Sequence, residues 1–240
     1  NFSLTVEQGK LRKGEILGII GANALGKTTM MKMIAGEVKS DSGSVDKKIK
    51  IAYKPQYLTN DIEIDVISVL NKANEGAVEG SQEEEQIIDP LKIKKLYNKS
   101  INNLSGGELQ KVAVATCLLQ KVDMYALDEP SAFLDVEDRI VVAKFLQKFV
   151  RSYGKSAIII DHDLQLLDLV SDSMVIFEGK SGTNGYASAP LSKKDAMNKF
   201  LKSLNITFRR DEKSSRPRVN KEGSRLDKMQ KESTNFYYLN

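Results

Sequence analysis

Apolar and polar positions alternate in Phe2-Ser3-Leu4-Thr5-Val6, the period of a half-buried strand. Glu15-Ile16-Leu17-Gly18-Ile19-Ile20 is instead a short continuous apolar run. Such a run predicts a strand buried on both faces, as in a parallel sheet. A glycine-rich stretch follows at once, and Thr28 to Ala35 then has helical spacing that stops at Gly36. Ile49 to Tyr53 predicts another strand. Two further apolar runs end in polar residues: Met124 to Leu127 leads into Asp128-Glu129, and Ala157 to Ile160 leads into Asp161-His162. Between them, Val136 to Tyr153 has the spacing of an amphipathic helix. This strand-helix-strand alternation predicts an α/β core with a largely parallel sheet. Ligands of such sheets bind beyond the carboxyl ends of the strands, where the polar loops just named lie.

Elsewhere the pattern is weaker. From about Asp65 to Asn103 the chain is richer in Glu, Lys and Asn, with helical periodicity in pieces. Glu83-Glu84-Glu85 reads as a solvated helix face. After Gly179 the pattern loosens through Gly182, Gly185 and Pro190, and Lys193 to Leu204 is helical again. From Thr207 onward the chain is basic without clear periodicity, and no internal repeat is visible.

Composition adds three constraints. The 240 residues carry a net charge of +4. Ten Lys/Arg against five Asp/Glu between Leu201 and Asn240 put +5 on the tail, leaving the rest at −1. A basic tail suits RNA, a ribosome or an acidic surface, or serves only for solubility. The single cysteine, Cys117, excludes an intrachain disulfide and fits a reducing compartment such as the cytosol; its apolar neighbours make it a small core side chain. No apolar run reaches the roughly 18 residues that span a bilayer, and no signal peptide opens the chain. Beginning at Asn1 and running straight into a strand, the sequence reads as a piece of a longer polypeptide or as a chain with a processed or trimmed N-terminus.

The candidate chemistry lies in the loops. Gly21-Ala22-Asn23-Ala24-Leu25-Gly26-Lys27-Thr28 has the spacing of a phosphate-binding loop, in which backbone N–H groups and a helix N-terminus face phosphate oxygens. Lys27 would reach the β- and γ-phosphates of ATP, and the Thr28 hydroxyl would bind Mg²⁺. Asp128 can hold Mg²⁺ through water, and Glu129 can polarise an attacking water as a general base. Leu104-Ser105-Gly106-Gly107-Glu108 offers a second anion cradle at a helix start, and Ser105 with Glu108 also reads as a capping box. His162, the only histidine, lies beyond a strand end on the same sheet edge as Asp128, in reach of a γ-phosphate.

In this order the motifs resemble the nucleotide-binding domain of ABC ATPases. Gly21 to Thr28, with Thr29 after it, matches the Walker A loop, Met124 to Glu129 the Walker B strand, and Leu104 to Glu108 the signature motif. Gln56 in Lys54-Pro55-Gln56 matches the Q-loop glutamine, a metal and water contact. Ser131-Ala132-Phe133-Leu134-Asp135 matches the D-loop, and His162 the switch histidine. Phe2, 25 residues before Lys27, stands about where the family places an adenine-stacking aromatic, although a core strand would also take a phenylalanine there. Tyr53-Lys54-Pro55-Gln56-Tyr57, Leu127 to Asp135, Ile206 to Asp211 and Arg216 to Lys221 look like class E ABC ATPases, the RNase L inhibitor family of ribosome-recycling factors. The likeness is to their second, C-terminal nucleotide-binding domain, and Asn220-Lys221-Glu222-Gly223-Ser224 looks closer to archaeal members.

That resemblance implies an ABC-type P-loop fold. The α/β core would span 1–56 and 105–200, a helical subdomain 57–104, and a basic hinge 201–240 that braces two nucleotide-binding domains. It implies an ATPase with ATP and Mg²⁺ as cofactors, weak as an isolated domain. ATP would be sandwiched against a first nucleotide-binding domain, in a cytoplasmic protein that also carries an iron–sulfur domain. Closure would split ribosomes and leave the protein on the small subunit, with a release factor or its stalled-ribosome relative as partner and no membrane. Lys27, Glu129 and His162 would be catalytic. Residues 21 to 29, Phe2, Gln56, Ser105 to Glu108 and Asp135 would contact nucleotide, and Thr28, Gln56 and Asp128 the metal. An ATPase subunit of a membrane transporter shares these motifs, and a non-hydrolysing ATP-dependent clamp on ribosomal RNA is a third reading. Two departures stand out. Ala22 and Ala24 replace the family's usual proline and glycine, so Ala24 is strained if its φ must be positive. Lys111 replaces an arginine, and lysine lacks the bidentate fork.

Overall fold

The computed structural model describes residues 2–45, 49–56, 63–76, 78–211 and 217–238. Tyr57 and Arg216 lie outside the described residues. Along the chain run β1 (Ser3–Val6), β2 (Ile16–Gly21), α1 (Lys27–Ala35), β3 (Ile51–Lys54), α2 (Val66–Ala73), α3 (Gly106–Leu118), β4 (Met124–Asp128), α4 (Val136–Ser152) and β5 (Ser156–Ile160). There follow α5 (Leu164–Val170), β6 (Ser173–Lys180), β7 (Asn184–Ala187), β8 (Leu191–Ser192), α6 (Lys193–Ser203), β9 (Phe208–Arg210), β10 (Pro217–Val219) and α7 (Arg225–Glu232).

The main sheet has the order β1-β7-β6-β2-β5-β4-β3, with β8 also paired to β6. Strands β6, β2, β5, β4 and β3 are mutually parallel, whereas β7 and β8 run antiparallel to β6. The sheet is therefore mixed but mostly parallel, as the alternation of elements predicts. Its continuous apolar runs are buried on both faces because successive side chains point to opposite sides. In β2, Ile16 and Ile20 enter one apolar cluster with α3, α4 and α5, while Leu17 and Ile19 enter the other with Met30 and Met31 of α1. Strands β4 and β5 divide the same way: Leu127 and Ile159 face the first cluster, Ala126 and Ile160 the second. Strand β1 is more exposed than a half-buried strand, because among the described residues it pairs only with β7, at the sheet edge.

Two segments depart from what their sequence predicts. Glu84 is not on a solvated face. It sits in a π-helical turn over Glu84–Ile88 and is buried, its carboxylate accepting from the Gly80 amide (2.7 Å) and the Tyr97 hydroxyl (2.8 Å) and pairing with Lys94 (3.2 Å). The region after Thr207 is not featureless either. β9 and β10 form an antiparallel hairpin, α7 follows, and Phe236, Tyr237 and Tyr238 are buried in the larger apolar cluster.

Candidate nucleotide site

The parallel strands bring the candidate residues to one edge. β2 ends in the glycine-rich loop, β4 in Asp128-Glu129, β5 in Asp161-His162 and β3 in Pro55-Gln56. Since β2, β5, β4 and β3 are successive neighbours, these four loops adjoin.

The loop wraps the start of α1. Gly26 takes φ 93° at the helix N-cap, a value L-residues rarely adopt. A Cβ there would also lie 3.0 Å from the ring of Phe2, so the expected aromatic covers this glycine and is still 40% exposed. Ala24 has φ 58°; the positive φ that glycine would permit is present here on an alanine. The β6–β7 turn supports the loop from outside: the Gly182 amide donates to the Ala24 carbonyl (2.9 Å) and the Ser181 hydroxyl to that of Asn23 (3.1 Å). Gly185 of β7 passes so close that a Cβ would meet the Leu25 carbonyl. Lys27 is buried, and its ammonium donates to the carbonyls of Gly21 (2.8 Å) and Ala22 (2.7 Å). Burial pulls its pKa down, against the opposing pull of Asp128 and Glu129.

Thr28 donates its hydroxyl to Asp128 Oδ2 at 2.8 Å. Asp128 is fully buried, and its Oδ1 has no hydrogen-bond partner among the described residues; burial raises the pKa of this carboxyl. A buried carboxylate oxygen without a donor normally carries a large desolvation cost. Placed beside a threonine hydroxyl, it is the hard oxygen donor set that Mg²⁺ takes, so the residues present fit the metal. The Glu129 carboxylate is held by its neighbours: Gln56 Nε2 donates to Oε1 at 2.7 Å, and His162 Nε2 lies 3.0 Å from the same oxygen. Thr29 continues in the first turn of α1.

Ser105, Gly106, Gly107 and Glu108 lie elsewhere. With Lys111, Phe133, Asp135 and Asp138 they line a cavity of ≈ 530 Å³ that no residue of the phosphate loop lines. Ser105 caps α3 in a full capping box, its hydroxyl accepting from the Glu108 amide at 3.3 Å while Glu108 accepts from the Ser105 amide at 2.9 Å. That amide, with Lys99, brings the Glu108 pKa down to about 2. Asp135 caps α4 by accepting from the Asp138 amide (2.8 Å), and Lys111 pairs with Asp138 (2.7 Å). Phe133 between them has φ 62° and is 77% exposed. Cys117 is buried, and burial pushes its thiol up to about 12.

Three side chains near Glu129 have no assigned role in the motif pattern. Lys54 and Gln110 donate to its carbonyl, and Asp161 holds Ser131 through the amide (3.1 Å) and hydroxyl (2.8 Å). The available signal was a lysine closing the otherwise apolar strand Ile51-Ala52-Tyr53.

A buried strand, a glycine-rich loop, a helix with Lys-Thr at its start and an acidic pair on a nearby strand together define a P-loop nucleotide-binding domain. The ABC transporter family model matches residues 4–132, and the chain belongs to the ABC family, in its class E branch. An uncharacterised ABC transporter ATP-binding protein of Methanocaldococcus jannaschii is 45% identical over 241 residues, covering 100% of this chain and 40% of that protein. Translation initiation factor RLI1 of Saccharomyces cerevisiae is 39% identical over 239 residues, covering 100% and 39%. A solved structure of the archaeal ribosome recycling factor aABCE1, in complex with the archaeal ribosomal stalk protein aP1, superposes with a TM-score of 0.93 at 44% identity, covering 99% of this chain and 46% of that one. The chain thus spans about 40% of the length of these curated relatives. Among the described residues no helix is long and apolar enough to cross a membrane.

Proposed function

We propose that this chain is the second nucleotide-binding domain of a cytoplasmic ribosome-recycling ATPase, and that it binds ATP with Mg²⁺ at the carboxyl edge of its sheet. The observation that carries the reading is the convergence of Gln56 and His162 on one oxygen of Glu129, beside the unpartnered Asp128 Oδ1. Amides of residues 21 to 29 and the Lys27 ammonium take the phosphates, with Lys27 exchanging its two carbonyl partners for phosphate oxygens. Thr28, Asp128 and Gln56 would hold Mg²⁺, which would neutralise the negative charge of the nucleotide's phosphates. Glu129 orients and activates the attacking water, His162 contacts the γ-phosphate, and Phe2 stacks on adenine.

Ser105, Gly106, Gly107, Glu108 and Asp135 face a different nucleotide. The separation of their cavity from the phosphate loop supports a composite arrangement, in which each of two domains supplies the signature cradle for the other's ATP. The partner domain and an iron–sulfur domain belong to the remainder of the full-length protein. Closure of the two domains splits the ribosome and holds the protein on the small subunit, with a release factor or its stalled-ribosome relative alongside. Similarity to a yeast translation factor and an archaeal recycling factor supports this reading, and the higher identity to an archaeal relative supports an archaeal source.

Glu129→Gln in the full-length protein tests it. Single-turnover phosphate release is expected to fall on the order of 100-fold, with ATP retained and the protein trapped on small subunits. Unchanged release would overturn the role of Glu129.

A further inference from the structure

Glu129 occupies a conformation that its sequence disfavours. Its φ is 50°, in the left-handed region that L-residues seldom enter. The next residue is Pro130, which pushes a preceding residue toward extended backbone. Such a geometry persists only where the surroundings over-determine it.

The surroundings here are specific. The Glu129 amide donates to the Ile160 carbonyl of β5 at 2.7 Å. The Glu129 carbonyl accepts from Gln110 Nε2 at 2.5 Å and from Lys54 Nζ at 3.3 Å. Lys54 also donates to the carbonyls of Asp128 (2.7 Å) and Pro55 (3.0 Å), so each of its three protons has a backbone acceptor. Both side chains are deeply buried, Lys54 at 2% exposure and Gln110 at 0%. A lysine is almost never buried this far without full pairing. Its pairing here is spent on main chain next to Glu129 rather than on a carboxylate.

We infer that Lys54 and Gln110 are positioning residues that clamp the Glu129 carbonyl and so aim its carboxylate at the attacking water. The inference rests on the role of Glu129 proposed above. The two donors arrive from different elements. Lys54 ends β3, two residues before Gln56, and Gln110 lies on α3, which begins at the Ser105 cap. The backbone of the glutamate is thus tied both to the segment that holds its carboxylate and to the helix that carries the signature motif. Losing either donor lets the Glu129 backbone turn out of its left-handed φ, which reorients its Cα–Cβ bond and takes the carboxylate off its line with Gln56 and His162. Phosphate contacts from the glycine-rich loop are untouched by that turn.

The test uses the full-length protein with Lys54→Met and Gln110→Leu, each alone and combined with Glu129→Gln. Single-turnover phosphate release and ATP affinity with Mg²⁺ are measured for all, with thermal unfolding to confirm the fold. Each single variant is expected to slow phosphate release on the order of tenfold while ATP affinity stays unchanged. Neither is expected to slow Glu129→Gln any further, because the carboxylate being aimed is gone. Gln110→Leu removes an oxygen that has no partner among the described residues, so it carries the test if Lys54→Met unfolds. Equal slowing with and without the Glu129→Gln substitution, unchanged release, or a loss confined to ATP affinity would overturn the clamp. Unchanged release in Glu129→Gln alone would instead remove the reading on which it rests.

Discussion

Ala24 holds φ 58° in the middle of the phosphate loop, and its carbonyl is fixed by the Gly182 amide. An L-residue in this region costs about 1 kcal/mol relative to glycine. Ala24→Gly is therefore expected to raise the thermal midpoint by about 2 °C and to leave or improve ATP affinity; a lower midpoint in a thermal melt would contradict the strain. The loop's spacing was plain in the sequence, as were Asp128, Glu129 and His162, because each follows an apolar run that ends at one sheet edge, whereas Gln56 was found only by resemblance. The positive φ at Ala24 was legible only by resemblance. The partners of Lys54 were not legible at all, since its acceptor at Asp128 is 74 residues away.

Among the elements, those with two-residue or helical apolar periods lie within a residue or two of where the sequence predicts them. The C-terminal hairpin and α7 escape such a prediction, and the reason is chemical. Their interior is polar: Thr207 donates to Asp227 (2.6 Å), Asn220 to Thr207 (2.9 Å) and to Gln230, and Gln230 to the Phe208 carbonyl (2.9 Å). All four side chains are buried, so hydropathy reads them as surface. Glu84 escapes for the same reason. Hydrogen bonds from Gly80 and Tyr97, followed by Lys94, hold its pKa at about 2, below the ordinary 4.5. A carboxylate depressed in the folded state adds stability above its unfolded pKa and loses it as pH falls through the folded value. Urea midpoints measured from about pH 5 to about pH 2 should fall more steeply for the native chain than for Glu84→Gln. Parallel curves would show that Glu84 contributes nothing to acid resistance.

At the scale of the molecule, the basic tail is tied to the core and is not a loose appendage. Tyr237 and Tyr238 donate to Asp168 of α5, and the Arg210 guanidinium sits 4.7 Å over the Tyr238 ring. If the two cradles of the chain, at Lys27 and at Ser105, serve different nucleotides, the domain holds half of each of two sites. The most direct test is phosphate release by the 240-residue chain alone against the full-length protein, both saturated with ATP and Mg²⁺. Losing the facing signature donors should leave ATP bound but slow release on the order of 100-fold. Release by the lone chain at the full-length rate would contradict the composite site.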